Sequence, residues 1–397
     1  MISELINSLK PSATLSLATK AKKLKAEGKD IISLTVGEPD WDTYEPIKEA
    51  AVKAIMAGKT KYVPTSGVPE LRSAIANKTN SFLKTNYSSA NITVSSGGKF
   101  LIYSFLMSVL NKGDEVIIPS PYWVSYPSQV EIVGAKPVIV ETNEASNYKM
   151  TGEMLEKAIT KKTKAIILNS PSNPTGGVYS LDELKDIAKV LKKYPEVLFM
   201  SDDIYNELVF TGDVAPHILQ ADANLKDQCV IVSGASKVYS MTGWRLGWAV
   251  GPEEIISAMT KFQSQTTSCA PSFTQYALAE CLGKMQNHIA ESNKVLKGRM
   301  DFVLNMISSI PDLEAKPSEG AFYLWLDIRK FLKKSYKGKD IKNSKNFSDF
   351  LLEDAEVALV PGSAFGLEGY LRASFALSES ELEKAFSRIK SFLSQTA

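Results

Sequence analysis

Seven short, continuous apolar runs rich in Val and Ile recur between residues 92 and 250, with amphipathic helical patterns between them. The runs lie at 92–95, 115–119, 137–140, 164–169, 197–201, 229–233 and 247–250. Strands of this character are apolar on both sides, so they belong in a parallel sheet covered on both faces. The helical patterns at 46–57, 100–111, 122–134, 151–160 and 180–193 supply the cover. The alternation predicts an α/β, doubly wound architecture with a mostly parallel seven-stranded sheet between helices. Right-handed crossovers then gather the loops after the strands at one edge, where ligands bind.

The pattern changes after a long helical stretch at 285–310. Short strands at 321–326 and 357–360 and a terminal helix from Ser380 predict a second, smaller α+β domain. The expected division is an N-terminal arm of residues 1–45 that also completes the small domain, a large domain over 46–300, and a small domain over 301–397. The lysine run from Lys20 to Lys25 is read as a solvated helix face. The Lys-rich stretch at 333–346 is read as an exposed insertion.

Composition narrows the function classes. With 46 Lys+Arg against 44 Asp+Glu, the net charge is +2, which gives no basis for nucleic-acid or membrane binding as the main task. Two histidines disfavour a zinc hydrolase or a Ser-His-Asp enzyme, so acid–base work falls to Lys, Tyr or carboxylates. Three cysteines without metal or redox spacing, no visible signal peptide and no membrane-length apolar run lead to the expectation of a cytoplasmic protein.

Polar residues follow the apolar runs. Lys237 comes just after 229–233, and Arg245 ends the Gly/Ser/Thr-rich loop beyond it. A lysine kept from water beside other cations has a depressed pKa, and its free amine can attack a carbonyl to form an imine. Hydroxyls and an arginine beside it suit a phosphate monoester. An imine-forming lysine next to a phosphate site suggests pyridoxal phosphate; an ordinary surface lysine is the other reading. Gly98 and Lys99 open a helix whose first N–H groups could face a phosphate, although a Gly-Gly pair is also a common tight turn. Asp202 could pair with a protonated pyridine nitrogen or cap a helix, and Tyr205 could donate to a phenolate oxygen. Asn173 is held out of the helical region by Pro174, which fixes its amide, although a simple Asn-Pro turn is the other reading. Trp123 could stack on a flat ring or belong to the core. Arg372, inside a strand-like run, needs an anion: a substrate carboxylate or a structural partner.

Together these segments resemble the class I and II aminotransferases of the fold-type I pyridoxal phosphate enzymes, over essentially the whole chain. The motifs are Ser-Leu-Thr-Val-Gly-Glu-Pro-Asp at 33–40, Lys-Tyr-Val-Pro-Thr-Ser-Gly at 61–67, Asn-Pro-Thr-Gly at 173–176, and Ser-Lys through Met-Thr-Gly-Trp-Arg at 236–245. Pro-Ser-Ala-Thr-Leu at 11–15, Gly-Gly-Lys at 97–99 and Ser-Pro-Tyr-Trp-Val-Ser-Tyr-Pro at 120–127 are similar to the bacterial aspartate and prephenate aminotransferase branch.

The resemblance implies pyridoxal 5′-phosphate as cofactor and small amino acids and 2-oxo acids as substrates. It makes Lys237 the Schiff-base lysine and proton shuttle, and Asp202 the partner of the ring nitrogen. Tyr205 and Asn173 hold the ring oxygen, and Trp123 stacks on the ring. Arg245, Ser236 and the amides of Gly98 and Lys99 cradle the phosphate. Arg372, Asn173 and the Gly37 amide take the α-carboxylate. Lys99 and Thr14 take the side-chain carboxylate. Tyr62 reaches the partner subunit's phosphate, which implies a homodimer with shared active sites.

Two positions depart from the wider family pattern. Gly234 stands where many relatives carry a second phosphate-binding serine, so one contact is missing or comes from Ser233 or a backbone group. No arginine lies between Arg245 and Arg299 to serve a neighbour's side-chain carboxylate. The expected reaction is amino transfer between aspartate or glutamate and their oxo acids, with prephenate as a further acceptor. The alternatives are an aminotransferase for aromatic or neutral amino acids, a C–S lyase of the same fold, and a cofactor-binding transcription regulator. The last would need a DNA-binding domain ahead of a fold that is expected to begin within the first ~30 residues. Cis peptide bonds are expected before Pro121 and Pro174.

Overall fold

The computed structural model describes residues 1–9, 11 and 13–396, the side chains of Ser8 and Ala13 excepted; Ser12, part of the 11–15 motif, lies outside the described residues. All seven apolar runs are strands of one sheet. They are β1 (Ile92–Ser95), β2 (Glu115–Ser120), β3 (Lys136–Glu141), β4 (Thr163–Asn169), β5 (Leu198–Asp202), β6 (Cys229–Gly234) and β7 (Gly247–Val250), in the order β1-β7-β6-β5-β4-β2-β3. Alternate residues enter two different cores, as a period of two requires. Ile117, Ile166, Phe199 and Ile231 pack on one face. Val116, Ile167, Met200 and Val232 pack on the other.

The sheet is mostly parallel, with one exception. β7 runs antiparallel to both β6 and β1. The connection from Gly234 to Gly247 holds only short helical turns, and it doubles back instead of crossing the sheet.

The helices have local causes. Ser180 and Glu183 form a reciprocal capping box at the start of Leu181–Leu191. Thr151 caps Gly152–Ala158 through its side chain. Three further helices, Pro69–Leu83, Glu253–Ser264 and Ser272–Cys281, add to the cover without having been anticipated.

A second, antiparallel sheet follows the long helix Gln286–Ser308. Its strands are β8 (Glu314–Ala315), β9 (Tyr323–Asp327), β10 (Val360–Pro361) and β11 (Tyr370–Ser374), in the order β10-β11-β9-β8. Near the N-terminus, Ile32–Ser33 pairs in parallel with Val357–Ala358. The 333–346 stretch is not simply an exposed insertion. It contains a hairpin, Ser335–Tyr336 with Lys339–Asp340, whose Tyr336 is buried against Phe392 at 4.4 Å between ring centroids. Ile341 is also buried. The aromatic and aliphatic side chains between the lysines anchor the segment.

Candidate active site

The reversed strand explains how one sheet edge collects the polar residues. The C-terminal ends of β2, β4, β5 and β6 lie at one edge, with that of β1. Because β7 runs the other way, its beginning lies there too, and Arg245 arrives from its N-terminal side. Gly234 and Gly247 are paired at that edge. A Cβ on Gly247 would sit 2.8 Å from the Gly98 nitrogen and 2.9 Å from the Gly97 carbonyl carbon, so three backbones meet only because side chains are absent. Gly97, at φ 92°, faces the Arg245 guanidinium, and a Cβ there would lie 2.7 Å from Nη2.

Above this edge is a cavity of about 610 Å³. It is lined by Thr14, Gly37, Gly98, Lys99, Trp123, Asn173, Asp202, Tyr205, Ser236, Lys237, Arg245 and Arg372 among others. Twelve of the thirteen residues singled out from sequence therefore share one cavity. The thirteenth, Tyr62, is 91% exposed and lies outside it.

Lys237 sits on a single helical turn, Ala235–Val238, and its ammonium donates to the Gly37 carbonyl. Burial pushes its pKa down to about 8; Glu38 opposes this, and the Arg372 and Arg245 charges reinforce it. Asp202 is buried at the end of β5. Tyr126 donates to its Oδ2 at 2.5 Å and the Ile204 N–H reaches Oδ1 at 3.3 Å. Burial raises the Asp202 pKa to about 6 against those two hydrogen bonds. Such a carboxylate is a ready acceptor for a buried cation.

The hydroxyls of Tyr205 and Tyr323 meet at 2.9 Å, and burial drives both pKa values upward. Arg372, in the central strand β11, is 3% exposed. It donates to Asn173 Oδ1 at 2.9 Å and the Thr35 carbonyl at 2.7 Å, and lies 4.3 Å over the Tyr323 ring. Among the described residues its Nε has no partner and no carboxylate forms an ion pair with it. Burial works against its charge. Asn173 is held in turn by its own N–H to Asn169 Oδ1 at 2.8 Å.

The helix Gly98–Val109 begins beside Arg245. Gly97 at its N-cap has no side chain to satisfy the first N–H groups. The Arg245 guanidinium donates to the Thr242 carbonyl at 2.8 Å and weakly to Ser96 at 3.3 Å. Ser236 is buried in the lining. Donors of this kind suit a phosphate dianion. Trp123 stands edge-on to Tyr126 at 5.3 Å, and the Lys99 ammonium lies 4.9 Å over its ring. Burial, then the Arg245 charge, lowers the Lys99 pKa.

Two expectations change. Ser233 cannot replace the serine absent at Gly234, because its hydroxyl donates to the Asp203 carbonyl and it does not line the cavity. A serine Cβ at Gly234 would itself press on the Leu246 carbonyl at 3.0 Å. The cis bonds precede Pro121 and Pro171, not Pro174. The chain leaves β4 at Asn169 and turns at once, and Pro171 packs under Gly320. Sequence reasoning also missed Tyr126, Tyr323 and Glu38, all of which line the cavity. Tyr126 lies within the quoted 120–127 motif, which was its only signal.

The family described as "Aminotransferase class I and II" matches residues 29–389. A protein of Rickettsia bellii named "Probable aspartate/prephenate aminotransferase" is 48% identical over 391 residues, covering 98% of each chain. An "Aspartate/prephenate aminotransferase" of Nitrosomonas europaea is 44% identical over 395 residues, covering 99% of this chain and 100% of that protein. The crystal structure of the aspartate aminotransferase from Rhizobium meliloti superposes with a TM-score of 0.97 at 41% identity, covering 100% of both chains. With the match running through the strands, the lysine turn and the Arg372 strand alike, the chain belongs to the class I and II aminotransferases.

Proposed function

We propose that this chain moves amino groups between aspartate or glutamate and the oxo acids oxaloacetate and 2-oxoglutarate, with bound pyridoxal 5′-phosphate, and that prephenate is a further acceptor. The observation that carries this reading is a pair of cations lining one cavity without an acidic partner among the described residues, Arg372 buried and Lys99 more exposed. A substrate with two carboxylates answers both. The names of the relatives from Rickettsia bellii and Nitrosomonas europaea support the same substrates.

The residues present fit the cofactor. Asp202 would accept from a ring N–H⁺, and the Asn173 carboxamide, whose NH₂ has no partner among the described residues, would donate to a ring oxygen while its Oδ1 serves Arg372. Tyr205 adds a hydroxyl at the same place, and Trp123 offers an aromatic face. Ser236, Arg245 and the first N–H groups of Gly98–Val109, left without a side-chain cap, would hold the cofactor's phosphate. When bound, pyridoxal phosphate supplies a carbonyl carbon that takes the amino group and a ring that draws off electrons. Lys237, its pKa lowered to about 8 by burial, moves the proton at the substrate Cα as base and then acid. Arg372 and the Gly37 amide orient the α-carboxylate; Lys99 and Thr14 receive the distal one.

We read the chain as a cytoplasmic homodimer with shared sites, an arm to about residue 45, and two domains dividing near residue 300. The exposed Tyr62, close in sequence to exposed Val52, Ile55 and Met56, supports a subunit contact there. The test is a panel of amino donors against three oxo acids with reconstituted protein. Aspartate should yield more than one equivalent of oxaloacetate only when 2-oxoglutarate is added. More than one equivalent of oxo acid released without an acceptor, together with free ammonia, would identify a lyase instead.

A further inference from the structure

The lysine run at 20–25 is not one uniform solvated face. Helix Ala13–Ala26 presents Thr14, Leu15, Ala18, Ala21, Lys22 and Lys25 to the cavity, at the spacing of a single helical stripe. The lysines off that stripe are matched by acids: Lys20 with Glu353 at 2.9 Å and Asp349 at 3.7 Å, and Lys23 with Glu27 at 3.9 Å. Lys22 and Lys25 are exposed and form no ion pair among the described residues.

The cavity as a whole is charged out of proportion to the protein. Its lining carries six cations (Lys22, Lys25, Lys99, Lys237, Arg245 and Arg372) against two acids (Glu38 and Asp202), in a chain of net charge +2. A cleft lined by one sign of charge with low-dielectric walls focuses its field outward and raises the local concentration of oppositely charged solutes. Lys237, Arg245 and Arg372 have work inside. Lys22 and Lys25 have none there.

We propose that Lys22 and Lys25 form an electrostatic funnel at the mouth of the cavity that captures substrates in proportion to their net negative charge, without touching them at the reacting centre. The proposal rests on the acidic-substrate reading above. It adds a selection step upstream of the contacts made by Arg372 and Lys99. Aspartate and glutamate carry one net negative charge, 2-oxoglutarate carries two, and zwitterionic alanine carries none. Because Coulomb energy is linear in charge, the oxo-acid half-reaction gains most.

The experiment compares wild-type holoenzyme with the double variants Lys22→Gln/Lys25→Gln and Lys22→Glu/Lys25→Glu, at ionic strengths of about 0.01 M and about 0.5 M, where the screening length falls from ~30 Å to only a few ångströms. At low salt the Glu pair should lower kcat/KM roughly tenfold for 2-oxoglutarate and roughly threefold for aspartate, and leave alanine unchanged. The Gln pair should produce about half of each effect on a logarithmic scale. Saturated kcat should stay within about twofold, and the differences should close at high salt. Equal losses for all three substrates, losses that persist at high salt, or no loss at low salt would each overturn the funnel.

A wild-type holoenzyme that does not turn over aspartate with 2-oxoglutarate would sink the substrate reading instead. The funnel is then read from calorimetric binding of succinate. Weakening in the Glu pair confined to low salt supports it, and unchanged or salt-independent binding rejects it.

Discussion

Tyr126 and Asp202 are joined by a 2.5 Å hydrogen bond inside the core, from the helix after β2 to the end of β5. The bond favours the ionised carboxylate and opposes the burial that raises the Asp202 pKa to about 6. Removing the donor with Tyr126→Phe should push that pKa further up, so the carboxylate becomes a poorer partner for a ring cation at neutral pH. A hydrogen bond to a charged group contributes about 1.5–3 kcal/mol, so cofactor affinity should fall roughly tenfold to a hundredfold. Spectroscopic titration of apoprotein with pyridoxal phosphate reads this directly, and unchanged affinity would count against the assignment of Asp202.

Arg372→Lys keeps the charge and loses the planar fork that serves Asn173, Thr35 and an incoming carboxylate together. Since every amino acid carries an α-carboxylate, kcat/KM should drop on the order of a hundredfold for all substrates alike. A loss confined to dicarboxylates would place Arg372 at the wrong end of the substrate.

Lys99→Ala should show the opposite selectivity. We expect about tenfold lower kcat/KM with aspartate and glutamate, the scale of one charge-assisted hydrogen bond, and little change with alanine. Steady-state kinetics with the three donors settle it; no change in the ratio would remove Lys99 from the specificity site.

The Lys237 amine should titrate near pH 8 in the apoprotein, well below an ordinary lysine at about 10.4. The shift favours the neutral amine, so reactivity appears as pH rises through 8. Reductive methylation with formaldehyde, followed site by site by mass spectrometry, should be half-maximal for Lys237 near that pH while surface lysines remain largely protonated. A midpoint above pH 10 would show that burial does not depress the group.

Gly247→Ala should destabilise the fold by about 2 kcal/mol, because the added methyl meets backbone atoms of residues 97 and 98 that cannot rotate away. Thermal melts of the apoprotein check this without reference to catalysis. An unchanged Tm would mean that the strands can separate to admit a side chain.

Much of the sheet was legible because its strands are buried on both faces and so read as unbroken Val and Ile runs. Lys237, Asp202 and Asn173 were legible for a related reason: in such a sheet, polar residues just past a strand have one edge to go to. The direction of β7 was not, since an apolar run carries no arrow. Tyr126 and Tyr323 escaped notice because each acts through a residue distant in sequence, Asp202 in one case and Tyr205 in the other. The cis bond was misplaced from Pro171 to Pro174 because both prolines sit in the same turn-rich segment, and only the place where β4 ends separates them. Lys22 and Lys25 looked like their neighbours until the position of the cavity split the helix into two faces.

The reversal of β7 makes the lysine turn and the proposed phosphate clamp two ends of a single backbone ruler. Gly234 is locked to Gly247 by the sheet ladder, so the distance from the turn that carries Lys237 to Arg245 is graduated in peptide units instead of being negotiated by side-chain packing. Substitutions elsewhere in the core can loosen the protein while leaving that measure intact. One residue added to or removed from the 235–246 connection would recalibrate it, whatever the surrounding side chains were.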